Sequence, residues 1–242
     1  MIRIYEPALL TIGHSHSLGE RGHHHLLHVL RAKMHDSLVL FNGDGCDYHA
    51  EIRAITKKHV EVQVLDKKET DFESPLSIHL AQCLPSGDKM DYIVQKAVEL
   101  GVKAITPIIA ERSQGRLHGE QAQKKIARLN LIAVSACEQC GRNRIPTIAL
   151  PLALADWLDQ SKTDQHRYVL APKQREMLSI TKSVKSLSLL VGPEGGFTEQ
   201  ELALTKQHGL KVLSLGKRIL RTETASLAAI SILQWCAGDL SA

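Results

Sequence analysis

The chain has 242 residues, 43% hydrophobic and 23% charged, with a formal net charge of +4. This is the mix of a globular protein with a sizeable core, and it excludes a disordered or collagen-like chain. No apolar run approaches the roughly 18 residues that a membrane span requires, so no membrane partner is expected.

The opening stretch MIRIYEPALL has neither a long apolar core nor a small-residue cleavage site, so no secretory leader is expected. Period-two alternation or short apolar runs at 1–5, 37–42, 48–55 and 59–65 predict strands. Asn42-Gly43-Asp44-Gly45 supplies the positive φ angles of a hairpin between two of them. One helix is predicted over 23–33, "HHHLLHVLRAK", with Leu26, Leu27 and Leu30 on one face. Its His23-His24-His25 start reads as a solvated loop or helix start in preference to a metal site. Short strands around one helix predict a small barrel over 1–70. The polar stretch 65–75 ends in proline and is the candidate linker.

From residue 74 the period changes. Strands are predicted at 76–84, 103–109, 167–171, 187–191 and 211–215. Helices are predicted at 88–101, 120–138, 174–183, 198–208 and 222–238. The last is apolar almost all round, so it is expected to be buried. Strands alternating with helices predict an α/β domain with a parallel sheet over 74–242. The five cysteines have no framework spacing, and Cys137-x-x-Cys140 is half a zinc pattern without its other half. No metal is expected, and unpaired thiols favour a reducing cytoplasm.

One strand ends in Gly192-Pro193-Glu194-Gly195-Gly196 and is followed by a Thr198-x-x-Glu201 capping box. The glycines therefore stand at the carboxyl end of a parallel strand, where open α/β sheets bind ligands. Without side chains they let backbone approach a ligand closely, and a Cβ at Gly195 is expected to intrude on it. The spacing is not that of a dinucleotide fingerprint, and Pro193 removes an amide where a phosphate would want one. A second unusual stretch, "SLGKRILRTETAS" (214–226), follows the next strand. Two such loops facing each other would form one pocket with an apolar, adenine-sized slot.

"GPEGGFTEQE" and "LGKRILRTETA" together resemble the bacterial 16S rRNA (uracil-N3)-methyltransferases of the SPOUT class. "HLLHVLR" (25–31), "QKAVELGV" (95–102), "ERSQGR" (111–116) and "EQCGRNRIP" (138–146) extend the resemblance over nearly the whole chain, in order. The resemblance implies a trefoil-knotted α/β methyltransferase domain behind a small PUA-like β-barrel that helps hold RNA. It implies a homodimer acting on 16S ribosomal RNA or the small ribosomal subunit, with S-adenosylmethionine as cofactor. Carried onto this sequence, the cofactor residues would be Val191, Gly192, Pro193, Glu194, Gly195, Gly196, Ser214, Leu215, Gly216, Ile219, Leu220, Arg221, Thr222, Thr224 and Ala225.

Methylation at uracil N3 is an in-line displacement, largely a problem of alignment. Neutral N3–H is a poor nucleophile, so a carboxylate must take its proton or a cation must stabilise the anion. Glu138, Glu194 and Glu223 are the candidate bases. Glu194 can instead cap its own loop, and Glu223 can instead pair with Arg221. Arg221 is the preferred electrostatic group. For RNA, residues 111–146 hold seven Lys/Arg against three acids. Arg112, Arg116, Arg142 and Arg144 are the candidate phosphate contacts, extended by Arg31 and Lys33 from the barrel. Lys124, Lys125 and Arg128 read equally as a solvated helix face. Two Trp, four Tyr and three Phe are too few for extensive base stacking. A knotted methyltransferase with another target nucleotide, and a non-catalytic RNA-binding protein, are the competing readings.

Overall fold

The computed structural model describes residues 1–114, 117–171 and 180–241. The chain divides into two units: Met1–Glu73 with Cys137–Ile145, and Ser74–Ala136 with Pro146 onward.

In the first unit, β1 (Ile2–Tyr5), β2 (Ser15–Ser17), β3 (Ser37–Phe41), β4 (Cys46–Ile55) and β5 (Val60–Glu69) form one sheet. The strand order is β1-β3-β4-β5-β2, with β1 parallel to β3 and the other pairs antiparallel. Alternation places Ile4, Leu38, Leu40, Ile52, Val60 and Val62 in a common core with Leu26. Register shifts at His49/Ala50 and Ile52/Ala54 bend the β4–β5 pair, which lets a small sheet wrap its core. The polar stretch read as linker begins as strand: Asp66–Glu69 pair with Cys46–His49. Its side chains are exposed, and the backbone ladder holds it there, helped by Lys67, which reaches Asp44 and the Tyr48 ring. The helix predicted over 23–33 is also corrected. α1 (Glu20–His24) gives way to one π turn over His25–Val29, and Arg31 then adopts a left-handed φ of 51°. Three consecutive histidines and no capping side chain leave little to propagate an α-helix.

The second unit contains β6 (Ser77–Cys83), α2 (Lys89–Glu99), β7 (Ala104–Ile109), most of α3 (Gly119–Cys140), β8 (Thr147–Ile148), β9 (Leu152–Ala153) and α4 (Leu154–Gln160). β10 (Arg167–Leu170), β11 (Ser186–Val191), α5 (Glu199–Gln207), β12 (Lys211–Leu213) and α6 (Thr222–Ala237) complete it. Every strand pair is parallel, in the order β12-β10-β11-β6-β7-β8, with β9 also beside β7. Trp157, Leu158 and Leu154 of α4 pack with Cys83, Ile108, Val169 and Leu190. α2 and α6 pack together and bury Ile93, Val94, Ala97, Ala229, Ile230 and Leu233. The strands β8 and β9 and the helix α4 are too short to have stood out from their flanks. Of the helix predicted over 174–183, residues 174–179 lie outside the described residues and 180–183 form an irregular turn.

Candidate functional site

Three neighbouring parallel strands, β12, β10 and β11, end side by side, and the chain leaving their carboxyl ends encloses a cavity of about 480 Å³. That size falls within the roughly 300–1,000 Å³ of small-molecule sites. After β11 the chain turns tightly, with the Gly196 amide donating to the Pro193 carbonyl at 2.9 Å. Gly196 takes a φ of +68° there, a conformation that L side chains rarely adopt. The capping box then opens α5: the Thr198 side chain accepts from the Glu201 amide, and Glu201 Oε2 accepts from the Thr198 amide at 2.9 Å. After β12, Gly216 at φ +80° turns the chain into the second loop, which runs to Arg221 at the head of α6. The loops belong to strands that are not neighbours. β10 lies between them, and its end supplies Leu170 and Ala171 to the wall.

Of the fifteen residues expected to hold a cofactor, all line this cavity except Thr224, which is exposed on the first turn of α6. The wall also includes Leu170, Ala171, Phe197, Leu202, Leu213 and Arg218. The strand-end residues carry no motif that would have marked them. Phe197 stands in the glycine motif itself, and its ring lies 3.0 Å from where a Cβ of Gly192 would stand.

The structure separates the four catalytic candidates. Glu194 accepts from the Ser86 amide at 3.0 Å, the Ser86 hydroxyl at 2.8 Å and Lys89 Nζ at 2.7 Å. Burial would raise its pKa, but Lys89 and Ser86 outweigh it and hold the carboxyl down to about 2. All three bonds fall on Oε1, and a carboxylate held ionised in this way is a poor base. Glu138 does not line the cavity. In the first unit it accepts from both Arg21 nitrogens at 2.6 Å and from the Tyr5 amide at 2.9 Å, as a buried structural carboxylate. Arg221 lines the cavity and is exposed. Glu223, on the first turn of α6, is half-buried, and its buried Oε2 has no hydrogen-bond partner among the described residues. The alternative Arg221–Glu223 ion pair is absent among the described residues.

The basic candidates also divide. Arg31 and Lys33 are exposed on the first unit, and so is Arg144, whose guanidinium stands over Gly45. Arg142 is corrected: it is 3% exposed and forms a two-pronged ion pair with Glu73 at 2.9 and 2.6 Å. Its charge is spent inside the fold. Arg112 donates to the Gly195 carbonyl at 3.0 Å. Arg116 lies outside the described residues. Lys124 pairs with Glu120 at 2.7 Å, Lys125 with Asp91 at 2.8 Å, and Arg128 also reaches Asp91.

Cys137 is buried, and burial pushes its thiol up to about 12, an inert group. Among the described residues no group of three or more His, Cys, Asp or Glu is placed to hold a metal, and no helix is long and apolar enough to cross a membrane.

Comparison with known proteins agrees with this geometry. An RNA methyltransferase domain model matches residues 72–234, and an RNA methyltransferase PUA domain model matches residues 22–65. Ribosomal RNA small subunit methyltransferase E of Buchnera aphidicola (from Acyrthosiphon pisum) is 37% identical over 238 residues, covering 98% of this chain and 94% of that one. The protein of the same name from Bacillus subtilis is 37% identical over 223 residues, covering 88% and 86%. A Legionella pneumophila protein solved with bound S-adenosylmethionine superposes with a TM-score of 0.95 at 40% identity, covering 99% of each chain. Ribosomal RNA small subunit methyltransferase E from Neisseria gonorrhoeae, also bound to S-adenosylmethionine, superposes with a TM-score of 0.92 at 39% identity, again over 99% of each chain.

Proposed function

The chain belongs to the ribosomal RNA small subunit methyltransferase E family, and on that premise we propose that it methylates N3 of a uridine in 16S ribosomal RNA, using S-adenosylmethionine. The observation that carries this is the cavity built by the two glycine loops at the ends of β10, β11 and β12. Its walls are largely backbone and apolar side chains, with Glu194, Arg218 and Arg221 among the polar ones, which suits an adenosine in the slot between the loops. Gly196 and Gly216, at φ of +68° and +80°, let the two lining loops turn tightly beside the ligand. Val191 to Gly196, Ser214 to Gly216 and Ile219 to Thr222 would hold the cofactor, with Ala225 behind them.

When bound, S-adenosylmethionine supplies an electrophilic methyl on sulfur. The chain must align uracil N3 with it and remove the N3 proton. Glu194 is held by Lys89 and Ser86, and neither Glu138 nor Glu223 lines the cavity; of these two only Glu223 adjoins its wall, following Thr222 on the first turn of α6 with Oε2 unpartnered among the described residues, and it is assigned as the base. Arg221 at the cavity lip stabilises the negative charge that develops on the uracil oxygens. Arg31, Lys33, Arg112 and Arg144 contact RNA phosphates, with Arg116 as a further candidate.

We read 1–70 as a PUA-like RNA-binding barrel and 74–242 as the methyltransferase domain, except that residues 137–145 fold with the first unit. The return of the chain from edge strand β12 to α6, beside α2, is read as the trefoil knot. α6 leaves Trp235 63% and Ile232 40% exposed, and we assign that face to a second copy of the chain in a homodimer. All five cysteines are free, which suits a reducing cytoplasm.

The test is nucleoside mass spectrometry of small subunits lacking the modification, after incubation with the protein and labelled S-adenosylmethionine. Labelled 3-methyluridine is expected. Another labelled nucleoside would move the target, and no label without cofactor binding would leave a non-catalytic RNA-binding protein.

A further inference from the structure

Gln82 stands on β6, beside β11, with none of its surface exposed. Its neighbours Leu80, Ala81, Cys83 and Leu84 are all buried, so an amide there is costly unless every polar atom is satisfied. Gln82 Nε2 donates to the Cys83 carbonyl at 2.9 Å and to Thr222 Oγ1 at 3.0 Å. Its Oε1 accepts from the buried Ser226 hydroxyl, which also lies 2.9 Å from the Thr222 carbonyl. Thr222 Oγ1 donates to the Gly192 carbonyl at 2.7 Å.

A hydroxyl has one proton. Thr222 gives it to Gly192, so it must receive from Gln82, and the relay runs one way: Gln82 to Thr222 to Gly192. The receiving end is a peptide with few other holds. The bond joins Gly192 to Pro193, which has no N–H, so the Gly192 carbonyl is its only hydrogen-bonding group. Gly192 opens the first cavity loop, and Thr222 closes the second at the head of α6.

We propose that Gln82 is a positioning residue for the cofactor cavity. Lining none of it, it clamps the start of one loop to the end of the other and sets the width of the slot between them. For its ligand the proposal rests on the S-adenosylmethionine reading, but the clamp itself belongs to the free protein.

Two measurements test it on the full chain: amide hydrogen exchange of Gly196 in ligand-free protein, and calorimetric binding of S-adenosylmethionine. Gln82→Leu and Thr222→Val each remove the relay, and Thr222→Ser keeps it. Exchange at Gly196 is expected to quicken about ten-fold or more, and the Kd to rise about ten-fold, in the first two variants. Thr222→Ser, which keeps the hydroxyl, holds the Gly196 exchange rate within about two-fold of the parent. The double variant Gln82→Leu/Thr222→Val is no worse than either single one, because both break one relay. A folded Gln82→Leu or Thr222→Val matching the parent in both measurements would overturn the clamp, and so would multiplying effects in the double variant. Exchange quickened equally along β6 and β11 would also overturn it, since that marks general loosening. Should Gln82→Leu not fold, the Thr222→Val and Thr222→Ser pair decides alone. A parent that binds no S-adenosylmethionine would refute the cofactor reading, while exchange would still decide the clamp.

Discussion

Arg112 donates to the Gly195 carbonyl at 3.0 Å and fills the side of Gly195 on which a side chain would grow. A Cβ there would lie 3.3 Å from both Cβ and Cδ of Arg112, tighter than ordinary contact. Gly195 is therefore open toward Arg112, not toward the ligand as its place in the loop suggested. Arg112 is a strut of the cofactor loop whatever it does for RNA.

Gly195→Ala should accordingly weaken S-adenosylmethionine binding about three- to ten-fold by displacing Arg112, a loss on the scale of one hydrogen bond. Arg112→Ala should weaken it by a similar factor. The double variant should bind no more weakly than Arg112→Ala alone, because the space is then free. Calorimetry on the three variants checks this, and fully multiplying losses would point the missing Cβ back at the ligand.

Arg142 and Arg144 stand two residues apart and should behave as opposites. Arg142→Ala strands the Glu73 carboxylate and should cost about 3 kcal/mol of stability in denaturant unfolding. Arg144→Ala should leave stability nearly unchanged and weaken RNA binding, lowering the salt slope by about 1. A stability loss confined to Arg144→Ala would reverse the two assignments.

The Glu194 pKa, held near 2 in the fold, lies below its ordinary value of 4.5. The depressed group contributes stability above the ordinary value, and that contribution disappears as pH falls toward the folded value. The parent should therefore be more stable than Glu194→Gln above pH 4.5, with the gap closing as pH falls toward 2. Unfolding curves at several pH values measure the gap, and a constant gap would mean that Lys89 does not hold the charge.

Glu223→Gln should lower kcat about a hundred-fold, the lower end of general acid–base catalysis, with cofactor affinity within about three-fold of the parent. Single-turnover methylation of small subunits reads the first and calorimetry the second. Undiminished turnover would remove Glu223 as the base.

If the chain pairs through α6 as proposed, Trp235→Arg should lower its mass from dimer to monomer in light scattering, since it places a charge on the exposed apolar face of that helix. An unshifted mass would put the second copy elsewhere.

The sequence by itself determined the class of both units and the place of the cavity. Alternation marks β4 and β5 and helical period marks α2, because these elements are long enough to show their periodicity, while α6 stands out as a long, almost wholly apolar run. The two glycine loops were legible because positive φ and close approach demand glycine whatever surrounds them, and the Thr198–Glu201 box because capping is local. What only the tertiary structure decided depends on residues distant in sequence. It placed β10 between the two loop-bearing strands, buried Arg142 against Glu73 across 69 positions, and tied Glu194 to Lys89 across 105. Gln82 reads as one of three polar letters in a strand that is otherwise apolar, and its role exists only because Thr222, 140 residues away, is folded against it. Charge and polarity are written locally, but whether a carboxylate, guanidinium or amide faces a ligand, a partner or the core is decided by what the fold brings to it.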